Sequence, residues 1–147
     1  MRKAIQKGRA ERGHALVEVA LMAPWIFLIY VAVFDFGFYM YALVCTEHAA
    51  RVGALYTSSA SASAADASGA CTYALAELNG MPNVRSLASC SASPLSVTAT
   101  SVASGSSADG AAASRVTVAY TTIQLIPIPW VTGQMTITRW VEMRVSQ

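Results

Sequence analysis

At 147 residues and a net charge of +2, the chain lacks the basic surplus that draws a protein to nucleic acid. Its composition, 54% hydrophobic and only 12% charged, is also unlike that of a freely soluble domain. Much of the apolar fraction is alanine in Ala/Ser tracts, so beyond a long N-terminal helix only one small domain with a limited core is expected.

The charges are unevenly distributed. Arg2, Lys3, Lys7, Arg9 and Arg12 against the single Glu11 give residues 1–13 a charge of +4, whereas the remainder holds 5 basic and 7 acidic residues. The positive-inside rule then keeps this end in the cytoplasm and exports the chain beyond Tyr41. Between Glu18 and Asp35 stand 16 residues, Val19 to Phe34, without a charged side chain, and Phe36 to Thr46 are again uncharged. On a helix the two carboxylates lie about 25 Å apart, close to the roughly 30 Å of bilayer hydrocarbon, so one falls near each interface. Glu18 has two readings. It either snorkels at headgroup level, or sits deeper, where an unpaired carboxylate costs about 2.5 to 3.5 kcal/mol and needs a partner.

The helix is expected to continue past the membrane. Phe38, Tyr41, Cys45, Ala49, Val52 and Tyr56 recur at spacings of three and four, with Thr46, Glu47, His48 and Arg51 on the other face and Glu47 able to pair with Arg51. From His14 to Tyr56 such a rod measures about 65 Å. Pro24 falls inside it and is expected to kink it or free a carbonyl. Ala15, Ala20, Ala23, Ala32 and Gly37 would let neighbouring helices approach closely.

The Ser58 to Ala65 tract has no apolar period and reads as a helix end or linker. Asp66 or Ser68 then caps a short helix through Leu78, stopped by Asn79, Gly80 and Pro82. Ser104 to Gly110 reads as a loop. Three strands follow from alternation: Leu95, Val97 and Ala99; Val116, Val118 and Tyr120; and Met135, Ile137, Val141, Met143 and Val145. The shift of phase to Ile123 and Leu125 predicts a bulge near Thr121 and Thr122. Arg139 interrupts the apolar face of the last strand without an evident reason. Ile126 to Trp130 is an uncharged, proline-stiffened turn that either covers one end of the core or is an exposed contact.

All three cysteines fall on the expected exported side, where oxidation is permitted. Cys71 and Cys90 enclose a short loop and are the expected disulfide, worth about 3 kcal/mol in the chain-entropy model; two buried thiols are the alternative. Cys45 is left over, either packed as a small apolar residue or linked between subunits.

The fold class is therefore α+β, with a long N-terminal transmembrane and stalk helix and a small extracytoplasmic domain. That domain combines a short helix with an antiparallel sheet of three to four strands. The divisions are a basic leader at 1–13, the helix at 14–57 and the domain at 58–147.

Several familiar chemistries find no residues to carry them. His14 and His48 are far apart, no Cys/His/carboxylate cluster has metal-ligand spacing, and there is no Gly-x-Ser-x-Gly elbow or glycine-rich phosphate loop. No enzyme activity, cofactor, metal, nucleic acid or small-molecule substrate is expected. The apolar run is too long for a secretory signal and contains Asp35.

Basic residues followed by Gly13, a glutamate five positions on at Glu18 and a long apolar helix resemble the type IV prepilin class. More narrowly, Gly13-x-Ala15-Leu16-Val17-Glu18-x-Ala20-Leu21-x-x-Pro24, then Asp35-Phe36-Gly37, then Ala49-Ala50-Arg51-x-Gly53-Ala54, is similar to TadE-like proteins, minor pilins or pseudopilins of tight adherence (Flp) pili. Departures are Val19 in place of an aromatic residue, Asp35 for Glu, Phe38 for a basic residue and Leu55 for a second Arg.

The resemblance implies a leader cut between Gly13 and His14 by a prepilin peptidase, with Glu18 meeting the new amine of a neighbouring subunit. It implies that Glu18, Pro24, Asp35, Gly37, Arg51 and Gly53 serve subunit packing. The expected partners are the inner membrane, the peptidase, other pilins and the pilus assembly platform. The alternative is a single-pass component of a secretion or envelope apparatus that never enters a filament.

Overall fold

The structure, a computed structural model, describes residues 2–107, 109–124 and 133–146, with side chains from His14 onward. Helix α1 spans Arg2–Ser58 and α2 spans Ala67–Glu77; the strands are β1 (Ser91–Ala92), β2 (Leu95–Val102), β3 (Ala113–Thr121) and β4 (Thr136–Arg144). Single 3-10 turns occupy Ser61–Ser63 and Leu78–Gly80. The chain divides into two compact units, Met1–Gly37 and Phe38–Gln147, so the boundary falls inside α1. The C-terminal unit thus includes the last part of this helix.

In the first unit α1 runs unbroken through Pro24. Its side chains are bare on every side: Leu16, Trp25, Phe27, Tyr30, Val33 and Phe36 are all more than half exposed, and Val31 is the buried exception. A helix that is apolar all round is stable only where something other than water surrounds it.

The second unit is built on an antiparallel sheet in the order β1-β2-β3-β4. Ala92 pairs with Leu95 across the two-residue connection Ser93-Pro94, whose peptide bond is cis. The strand β1 adds an edge too short for sequence alternation to reveal. Register is set by burial: Leu95 and Val97 of β2 stand opposite Tyr120 and Val118 of β3, which in turn face Ile137 and Arg139 of β4. Leu95, Val116, Val118 and Tyr120 are wholly buried, whereas Thr98, Arg115 and Trp140 on the reverse face are exposed. One face makes the core and the other meets solvent, as antiparallel sheets permit.

Two expectations change here. The β3/β4 ladder continues without interruption to Thr121 opposite Thr136, so the phase shift marks the end of the strand, not a bulge. Beyond it the Thr122 N–H donates to the Met135 carbonyl, and the Thr122 hydroxyl oxygen accepts from the Met135 N–H at 3.1 Å. The packed face of α1 keeps Phe38, Cys45 and Ala49 of the expected stripe but otherwise shifts to smaller residues. Ala42, Thr46, Ala49, Ala50, Gly53, Ala54 and Thr57 are buried, while Tyr41 stays exposed and Val52 and Tyr56 are half-buried. Small residues prevail because the sheet approaches closely: a Cβ at Gly53 would lie 3.2 Å from Cγ1 of Val116 and 3.7 Å from Cβ of Ala70. Thr46 is tolerated in this face because its hydroxyl donates to the Ala42 carbonyl, 2.7 Å away.

Arg139 also acquires an explanation. β4 is an outer strand, and the Arg139 guanidinium turns to the Thr138 carbonyl at the margin of the sheet. A charged side chain on an outer strand discourages edge-to-edge pairing with another sheet. The turn Ile126 to Trp130 lies outside the described residues.

Candidate functional site: the N-terminal helix

Gly13 and His14 fall within α1. One turn later Glu18 Oε1 lies 3.7 Å from His14 Nε2, the side chains being 67% and 82% exposed. Neither group is committed to the interior of its own chain, and both are reachable from outside. The helical segment His14–Ser58 holds a window of mean hydropathy 2.2, of which only 6% is buried. A core helix of a soluble protein would be mostly covered, so length, hydropathy and exposure together suit a membrane-crossing segment.

The remaining residues of interest on α1 separate by environment. Pro24 is accommodated within the helix, and a Cβ built at Gly37 would meet nothing within 4 Å. Among the described residues, Oδ2 of Asp35 is the one buried side-chain oxygen without a hydrogen-bond partner. Arg51 reaches Glu47 at 3.6 Å, with both side chains at least half exposed. Gly53 is used within its own domain, beneath Val116. The sequence motif therefore mixes outward-facing positions with several, Ala49, Ala50, Gly53 and Ala54, that serve the chain's own packing.

Hydrogen bonds fasten the helix to the rest of its unit. Ser114 of β3 has a fully buried hydroxyl bonded to that of Thr57 at 2.8 Å and to the Ala64 carbonyl at 2.7 Å. The Tyr56 hydroxyl donates to Asp66 Oδ2 at 2.7 Å. Asp66 caps α2, its Oδ1 accepting from the N–H groups of Ser68 and Gly69, both at 3.0 Å. Bonding to the Ser68 hydroxyl, to the Gly69 N–H and to Tyr56 holds the Asp66 carboxyl down at about 2, whereas Tyr56 is raised chiefly by its bond to Asp66. The cap is legible from sequence, but the contacts of Thr57, Ser114 and Tyr56 are not, because no local pattern specifies a partner 57 residues away.

Cys71 and Cys90 form a disulfide with a Cα separation of 5.7 Å, joining α2 to the start of the sheet. Cys45 is a free, half-buried thiol on α1. Among the described residues no group of three or more His, Cys, Asp or Glu side chains is placed to hold a metal ion.

A long apolar helix leading into a small disulfide-bonded α+β domain defines the class: a domain with one candidate membrane anchor. Within it, residues 13–55 match the model of the TadE-like protein family, the segment that begins at Gly13 and ends short of the α2 cap. The matched stretch includes Glu18, Pro24, Asp35, Arg51 and Gly53 and leaves the sheet unmatched. No curated protein and no solved structure matches the chain.

Proposed function

We propose that the chain is a minor pilin or pseudopilin of a tight adherence, Flp-type IV pilus, with a structural and not a catalytic role. It starts as a single-pass protein of the bacterial inner membrane, amino end in the cytoplasm and C-terminal domain outside. A prepilin peptidase removes residues 1–13, and the apolar half of α1 exchanges lipid for the helices of other pilins on the assembly platform. The domain then lies on the filament or its tip, contributing to assembly and surface adhesion.

The observation that supports this reading is the coincidence of an uncovered apolar helix with the TadE-like match starting at Gly13. Intact-mass analysis of the protein from its native membrane tests it. A mature chain starting at His14 is expected; one retaining residues 1–13 supports an anchored envelope component instead, and one starting beyond Met40 a secreted domain.

A further inference from the structure

On the solvent-facing side of the sheet one large apolar side chain, Trp140, stands 60% exposed among hydroxyls. Strand pairing sets Trp140 beside Thr117 and Thr117 beside Thr98, so a single row across β4, β3 and β2 runs from an indole to two hydroxyl groups. At the usual strand spacing this row is about 10 Å wide. Thr138 flanks it on one side, and the pair Arg115 and Glu142 on the other. A lone exposed aromatic needs no reason by itself. Trp140, however, is held in place: the guanidinium carbon of Arg115 lies 5.0 Å from the ring centroid, and Nε and Nη2 of that arginine donate to Oε2 of Glu142 at 3.1 and 2.7 Å. The guanidinium lies over one face of the indole, and the exposed remainder is presented to solvent already ordered, which lowers the cost of binding.

We infer that this face binds a neutral oligosaccharide, with the Trp140 indole as its platform, Arg115 and Glu142 as positioning residues, and the hydroxyls of Thr98, Thr117 and Thr138 as hydrogen-bonding partners. The chemistry of the face names the occupant. The negative face of an indole attracts polarised C–H bonds, and threonine hydroxyls both donate and accept. A sugar ring carries C–H groups on its faces and hydroxyls around its edge, so it meets both at once. Charge narrows the class: Arg115 and Glu142 are paired, and the other charged side chain of this face among the described residues, Arg144, stands opposite Ala113 at the end of β4. An anionic sugar would find no uncommitted cation beside the ring. A protein partner or a lipid surface would call for several large apolar side chains together, where this face has a single one. The inference gives the adhesion part of the pilin reading its surface chemistry, and rests on that reading for its role in the filament.

The test uses the full chain in a detergent whose headgroup is not a sugar. With Trp25→Phe and Trp130→Phe, indole emission comes from Trp140 alone, and the protein is titrated with chitohexaose, cellohexaose and maltohexaose, then with a heparin hexasaccharide and with phosphatidylglycerol vesicles. A saturable change in emission with at least one of the neutral sugars is expected. By calorimetry, Trp140→Ala should weaken that binding at least about tenfold and Trp140→Phe less, with the thermal midpoint unmoved because the side chain is exposed. No saturable change with any neutral sugar, equal affinity in Trp140→Ala, or binding confined to heparin or to vesicles overturns the inference. Recovery of the wild-type chain in sheared pili from its host separates the two readings. A chain present in pili that binds no neutral sugar overturns the site and leaves the pilin reading, whereas a chain that binds sugar through Trp140 but is absent from pili overturns the pilin reading and leaves the site.

Discussion

Gly69 is required by a single neighbour. A Cβ there would collide with Cε1 of Tyr56, and that ring is held by its bond to Asp66 at 2.7 Å and by Tyr73, whose centroid is 5.0 Å away. Gly69→Ala is expected to destabilise the domain by about 1 to 3 kcal/mol, measured by thermal unfolding of the full chain in detergent. The same change in a Tyr56→Ala background should cost much less, since the obstructing ring is gone. Asp66 gives a pH prediction at the same place. Its carboxyl is lowered from an ordinary 3.8 to about 2, so the folded state prefers the ionised form. The resulting stabilisation is complete above the unfolded value and is lost as pH falls from about 4 to about 2. Asp66→Asn should therefore flatten stability across that window, and an unchanged acid profile would remove the cap from the list of groups that titrate there.

At the scale of elements, the helix cap, the strand alternation and the enclosing cysteines were legible because each is a local pattern. The packed face of α1 was not. Size and hydropathy direct attention to Tyr41, Val52 and Tyr56, but the distance between α1 and the sheet selects Ala50, Gly53 and Thr57, which carry little hydropathy signal. Likewise β1 is only two residues long, and the break after Thr121 looks like a bulge until the Met135 pairing is known. Close approach yields its own prediction. Gly53→Val should push α1 from Val116 and cost about 1 to 3 kcal/mol, with partial recovery on Val116→Ala in the same chain. Reduction of the Cys71–Cys90 bond should lower stability by about 3 kcal/mol, because the 19-residue separation closes a loop of moderate length in the unfolded chain. Denaturant unfolding with and without reductant measures it, and coincident midpoints would remove the bond from the account of stability.

For the whole molecule, the division of labour within one chain is the argument. Residues 38–147 bury a core of their own, whereas most of the described apolar side chains before Gly37 remain uncovered. Burial within the chain therefore satisfies the second unit and leaves the first dependent on lipid or on other helices. Glu18 distinguishes these two environments. Insertion is driven by the uncharged run from Val19 to Phe34, and removing one carboxylate from its margin lowers the insertion cost. Glu18→Ala is thus expected to leave the membrane-bound fraction of the chain unchanged. Helix packing outside lipid is another matter, because on the proposed pilin reading Glu18 meets the amine of a neighbouring subunit, and losing that pair removes both attraction and axial register. The same variant should therefore reduce the amount recovered in sheared pili by about tenfold, with quantitative blotting of the two fractions as the measurement. Equal recovery in pili would mean that Glu18 is an ordinary boundary residue whose exposed carboxylate meets only water and headgroups.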